Sequence, residues 1–203
     1  MPASEGPNGA RIAAARRLGP DALANLLESY RNYLRLLART GIDASIRGKA
    51  DPSDLVQETL LKATQNIQTF RGKTEAELAG WLRQILSQNL VDLVRRHGGV
   101  KGSLAREQSL NELLDRSSVA LEAVISRHSG SAGTLPFGRD PGVLLAEAMA
   151  SLPDDYREVI TLRNLEHLDW EQVGKRLGRT AAASRMLWVR ALKRLRPLIE
   201  ARL

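Results

Sequence analysis

Arg185 and Arg190 lie in a stretch, from Gln172 to Leu203, that carries nine lysines and arginines against one acid, Glu200. Guanidinium groups on one helical face bind phosphates, or pair with guanine in a duplex groove, so the chemistry on offer is anion recognition. A second group, Asp54, Gln57, Glu58 and Leu61, follows the spacing i, i+3, i+4, i+7. That spacing sets an acidic strip with one apolar residue on one side of a helix, suited to docking on a basic protein helix. A third group, Phe70, Arg71 and Lys73, stands in a break between helical patterns, with Trp81 and Arg83 following. An aromatic beside cations suits single-stranded nucleic acid, whose bases stack and whose phosphates pair. Each group also has a plainer account: a solvated basic face, a helix start compensated by Asp54, and a core position for Trp81.

Bond-breaking chemistry finds little support. The chain has no cysteine, which excludes disulfides, thiolate zinc sites and cysteine nucleophiles. His97, His128 and His167 follow no metal-ligand spacing. Neither a phosphate-binding Gly-Lys-Ser/Thr loop nor a dinucleotide fingerprint occurs. The expectation is no cofactor, no metal and no enzyme activity. No apolar run approaches the ~18–20 residues that span a bilayer. A cytoplasmic protein without membrane insertion is therefore expected. The net charge is +7, and the last 32 residues carry all of the excess, as expected for an anionic polymer partner.

The elements that must hold these groups read as helices throughout. Residues 1–18 are small, polar and rich in Gly and Pro, and are expected to form a disordered tail. Leu23, Leu27, Tyr30, Leu34 and Leu37 predict a helix over 21–40. Asp51 as N-cap with Pro52 behind it starts another, with Val56, Leu60, Ala63 and Ile67 inward. A third, over 74–96, buries Leu78, Leu82, Leu86, Leu90 and Leu93. Residues 99–142 read as a linker with one short amphipathic stretch around Leu113. Beyond it, a helix over 154–165 leads to Asp169, which with Gln172 has the spacing of a capping box. Gly178 ends the helix so begun, and Thr180 caps a last one over 181–196. On that helix Ser184, Leu187, Trp188, Ala191, Leu192 and Leu195 point one way; Arg185, Met186, Val189, Arg190 and Lys193 point the other. Two helices about a short Gly-containing turn, the second basic, make a helix-turn-helix. The expected fold is all-α: two small helical domains, an N-terminal helical bundle (19–98) and a C-terminal helix-turn-helix (143–203), joined by a flexible linker (99–142).

These segments resemble the sigma-70-like family, specifically its compact extracytoplasmic-function (ECF) type. The run from Asp51 to Ala63 is similar to the family's polymerase-binding helix. Phe70-Arg71, Gly80 to Ile85, Asn89 to Asp92 and Arg95-Arg96 resemble its −10-element region. Leu152-Pro153, Tyr156-Arg157 and Val173 to Leu195 resemble its −35-binding domain. The resemblance implies a sigma factor directing promoter-specific transcription initiation. It implies as partners RNA polymerase core, through the β′ clamp helices and the β flap, promoter DNA, and an anti-sigma factor as a further one. Carried across by position, it gives Asp54, Gln57, Glu58 and Leu61 to polymerase. Phe70, Arg71, Lys73, Asn89 and Arg95 go to the −10 element; Thr180, Arg185, Met186, Val189, Arg190 and Lys193 go to the −35 element. Ala183-Ser184 stands where the family usually has Thr-Val, and Leu187 where a basic residue is frequent. On the residues alone two other classes stay open: a dimeric helix-turn-helix regulator and a helical nuclease.

Overall fold

The computed structural model describes residues 9–42, 51–98, 112–117, 119 and 140–202. Among these every regular element is helical, as the all-α expectation requires. The first unit is built from α1 (Ala10–Leu18), α2 (Pro20–Glu28), α3 (Arg31–Gly41), α4 (Pro52–Asn66) and α5 (Glu75–Gly98). A short helix, α6, covers 112–117. The second unit holds α7 (Pro141–Ala150), α8 (Asp154–Ile160), α9 (Trp170–Leu177) and α10 (Ala181–Glu200).

Where a helix start is written locally, it forms as the sequence predicts. The Asp51 carboxylate accepts from the Ser53 N–H at 2.7 Å, with Pro52 at the first helical position. Asp169 and Gln172 exchange both bonds of a capping box, at 2.8 and 3.0 Å. Thr180 accepts from the Ala183 N–H at 3.1 Å. Each satisfies backbone donors that would otherwise lack partners, a contribution of about 1 kcal/mol per cap.

Several boundaries differ from expectation. The tail assignment fails over 10–18, which forms α1 with Ile12 and Ala15 buried; residues 1–8 lie outside the described ones. Tertiary packing of two apolar residues, with the bonds of Arg11 to Glu75 and Arg16 to Phe70, seats a short helix whose composition looks polar. The helix expected over 21–40 is two, α2 and α3, because the Ser29 hydroxyl donates to the Leu26 carbonyl at 2.6 Å and turns the chain. The helix expected over 154–165 widens into a π turn at Thr161–Leu165. There the Thr161 hydroxyl donates back to the Arg157 carbonyl. The last helix runs past Arg196, through Pro197, to Glu200.

The inward stripes meet as one core. Leu78, Leu82, Leu86 and Leu90 of α5 are fully buried, facing Val56, Leu60 and Ala63 of α4. Each such leucine contributes about 1.5–3 kcal/mol by leaving water. The core does not stop at the unit boundary. α7 is apolar apart from Glu147, and Val143, Leu144, Leu145, Ala148 and Met149 are all buried. It packs on α10 of its own unit and on α3 of the first. A helix apolar over most of its circumference needs cover on more than one side.

Candidate nucleic-acid interface

In the second unit α9 and α10 form the expected helix-turn-helix. Gly178 adopts the left-handed conformation (φ 64°) that ends α9. Gly174 is required by close approach: a Cβ there would sit 2.7 Å from the Arg179 carbonyl oxygen. Ser184, Leu187, Ala191, Leu192 and Leu195 of α10 are buried, while Trp188 is half-buried with its indole N–H donating to Asn164 at 2.8 Å. Arg185, Met186, Val189, Arg190 and Lys193 are exposed along the opposite face. Met186 and Val189 are large apolar residues at that surface, 54% and 46% exposed. Apolar contacts between flanking guanidinium groups fit a groove carrying thymine methyls as well as acceptors.

Arg185 is not free to wander. Its guanidinium carbon lies 5.5 Å from the centre of the Trp170 ring, and that of Arg163 lies 4.8 Å from it. Trp170 meets Trp188 edge to face at 5.7 Å. The first residue of α9 thus holds a base-reading candidate on α10. Fifteen residues separate them, and no sequence spacing announces the contact.

In the first unit, residues 70–74 form a loop clamped from two sides. The Glu77 carboxylate accepts from the backbone N–H groups of Lys73 and Thr74, both at 2.8 Å, and from the Thr74 hydroxyl at 2.9 Å. The backbone donors come first in holding its carboxyl below the ordinary range. From the other side Arg16 of α1 donates to the carbonyls of Phe70 (2.8 Å) and Gly72 (3.1 Å), and lies over the Phe70 ring. Arg71 and Lys73 project outward.

Comparison with known proteins decides what these two surfaces belong to. Residues 26–100 match the family model described as sigma-70 region 2, and residues 143–195 the one described as sigma-70, region 4. Together they cover more than half of the chain. The chain belongs to the sigma-70 family. It is similar to the ECF RNA polymerase sigma factor SigE of Mycolicibacterium smegmatis, with 28% identity over 63% of this chain and 44% of that protein. It is also similar to the ECF RNA polymerase sigma factor SigM of Bacillus subtilis, with 25% identity over 84% of this chain and 93% of that one. It is an ECF-type member. The chain spans less than half the length of its mycobacterial relative and nearly all of the Bacillus one.

Within this sigma-70 frame, two of the expected region 2 contacts need correction. Phe70 is 7% exposed, its ring 5.2 Å from that of Trp81, so it floors the loop and offers no open face to a base. Asn89 is fully buried; its amide N–H donates to Thr59 at 2.9 Å and its oxygen accepts from Lys62. Both ends are satisfied internally, so it ties α4 to α5 and lies below the surface. Arg95 is exposed, 3.7 Å from Asp92.

The acidic strip of α4 lies at the surface. On α4, Asp54 and Gln57 are exposed, Leu61 is 57% exposed, and Glu58 is partly so. Glu58 meets Lys62 at 3.1 Å and, more loosely, Arg96 at 3.8 Å. Such partly solvated pairs are worth little and are readily exchanged for a partner's cations. Among the described residues no His, Asp or Glu cluster could hold a metal ion, and no helix is long and apolar enough to cross a membrane.

Proposed function

We propose that this chain is a promoter-specificity subunit of bacterial transcription: it binds RNA polymerase core and directs initiation at −35 and −10 elements, helping the duplex open. The observation that carries this is the outward face of α10, where Arg185, Met186, Val189, Arg190 and Lys193 stand together beyond a closed helix-turn-helix, in a chain that also has region 2.

Each surface takes one part. The α4 face (Asp54, Gln57, Glu58, Leu61) docks on the β′ clamp helices, and region 4 reaches the β flap. On the −35 duplex Arg185 and Arg190 read base edges, with Met186 and Val189 between them. Lys193 meets phosphate, which positions without specifying, and Thr180 sets the start of the recognition helix. At the −10 element Arg71, Lys73 and Arg95 meet the displaced strand, while Phe70 and Asn89 shape their support. Unstacking a base costs a few kcal/mol. Capture of bases and phosphates offsets that cost, so no hydrolysis is needed and no catalytic residue is assigned. Within this scheme the chain works in the cytoplasm, and an anti-sigma factor would act by covering one of these faces.

The test is reconstitution. Core polymerase plus this chain should co-elute and should select a two-part consensus from a random promoter library. A chain that binds DNA as a dimer and ignores core polymerase would instead be a simple regulator.

A further inference from the structure

The segment 70–75, which carries Arg71 and Lys73, has its backbone engaged from two sides. Its donors go to Glu77, which accepts from the N–H groups of Lys73 and Thr74. Its acceptors go to α1. One terminal nitrogen of Arg16 donates to two carbonyls, that of Phe70 at 2.8 Å and that of Gly72 at 3.1 Å. The same guanidinium covers the floor of the loop, its carbon 5.5 Å from the centre of the Phe70 ring. Gly9, the N-cap of α1, stands about two turns before Arg16. It lies against the next carbonyl, since a Cβ there would be 2.5 Å from the Lys73 oxygen. Arg11, between them, reaches Glu75, the first residue of α5, at 2.9 Å. One helix therefore touches the segment at residues 70, 72, 73 and 75.

The loop has little room for another shape. A Cβ on Gly72 would meet the Phe70 ring at 2.4 Å and the Glu77 Cβ at 2.9 Å. Phe70 is itself packed on Trp81, with 5.2 Å between ring centres. Arg71 and Lys73 are exposed, so their side chains keep their freedom while the backbone beneath them is held. Side chains that start from a fixed backbone have less order to gain on binding. Without Arg16, two carbonyls would turn to water, and the Phe70–Gly72 stretch would keep only its ring packing.

α1 ends at Leu18, ahead of the segment matched to sigma-70 region 2, which begins at residue 26. We propose that Arg16 of α1 is a positioning residue for −10 recognition. It sets the path of residues 70–73, from which Arg71 and Lys73 reach the displaced strand, and so determines base preference there without touching DNA. The inference rests on the −10 role proposed above for that loop. Seating α1 is a separate matter, because Ile12 and Ala15 are buried on its other side.

The test uses the full chain with core polymerase, a promoter that the wild type selects from a random library, and single-base variants of both its elements. Arg16→Leu keeps an apolar stem near Phe70 but has no donor. It should cut the −10 preference ratio in run-off transcription about three- to tenfold, the scale of one exposed hydrogen bond. Preference at the −35 element, read by the distant α10, should stay within about twofold. Arg16→Lys supplies one nitrogen able to bridge both carbonyls and should restore most of the −10 preference. Should the urea midpoint show Arg16→Leu to be poorly folded, Gly9→Ala decides: it keeps Arg16, pushes the Lys73 carbonyl aside and should shift the same ratio. An unchanged −10 ratio in the folded variant overturns the inference and leaves the sigma-factor function standing. Equal losses at both elements, or no rescue by lysine, reduce Arg16 to general stabilisation and overturn it as well. If the wild type yields no promoter-specific transcripts with core polymerase, the functional proposal itself fails, and the inference with it.

Discussion

At Arg185, the proposed base reader, the guanidinium lies over the Trp170 ring, which steadies it on the outward face of α10. A cation over an exposed aromatic is worth about 0.5–1 kcal/mol, and restraining the side chain adds to its discrimination between bases. Trp170→Leu should therefore flatten −35 base preference two- to fivefold while leaving salt-dependent binding to random duplex nearly unchanged, and Trp170→Phe should keep most of the preference. Competition binding with single-base operator variants measures both. Direct removal is the stronger perturbation: Arg185→Ala should alter preference at one or two positions by about 1–3 kcal/mol. Lys193→Ala should weaken all sequences alike and reduce the salt slope by about one. If Lys193→Ala shifts sequence preference instead, the division between reading and positioning is misassigned.

The loop before α5 and the turn before α10 both depend on short-range devices. Glu77 holds residues 73 and 74 through its ionised carboxylate. Its pKa is depressed in the folded chain, so its contribution is present above the ordinary carboxylate range and lost as pH falls through the depressed value. Glu77→Gln should loosen the loop at neutral pH and remove that acid-side loss, as amide exchange at Lys73 and Thr74 would register. In the turn, Gly174→Val forces a side chain against the Arg179 carbonyl. It should destabilise region 4 by about 1–3 kcal/mol in urea unfolding. Devices of this range are legible in a sequence. Asp51-Pro52, Asp169 with Gln172, and Gly178 act within three or four residues, and all form as spaced. The burial of Phe70 and Asn89 is not legible in the sequence because their surroundings come from afar: Trp81 and Arg16 for one, Thr59 and Lys62 for the other. Residues 10–18 read as tail for the same reason. Their helix is held by Arg11 to Glu75 and Arg16 to Phe70, contacts across more than 50 positions.

Across the whole molecule, the acidic α4 face and the basic α10 face remain exposed while the units are docked. The two units meet where α7 packs on α3. Asp140 sits at that joint, and burial pushes its carboxyl up from the ordinary value, against the lowering by the Val143 N–H and Arg83. Glu75, Tyr30 and Arg11 complete its charged surroundings. A carboxyl raised on folding contributes stability below its ordinary pKa and loses it as pH rises through the raised one. At neutral pH its buried charge therefore opposes folding. Asp140→Asn keeps a cap acceptor without the buried charge, so it should stabilise the folded chain at pH 7, as urea unfolding would register.

The account stands on one chain joining polymerase to promoter through two separate faces. The most direct measurement is run-off transcription by Asp54→Ala with Glu58→Ala, set beside duplex binding by the same protein. Promoter-specific transcripts should vanish while −35 duplex affinity stays within about twofold of wild type, since α10 is untouched. Undiminished transcription by this variant would contradict the assignment of α4 as the polymerase-binding face.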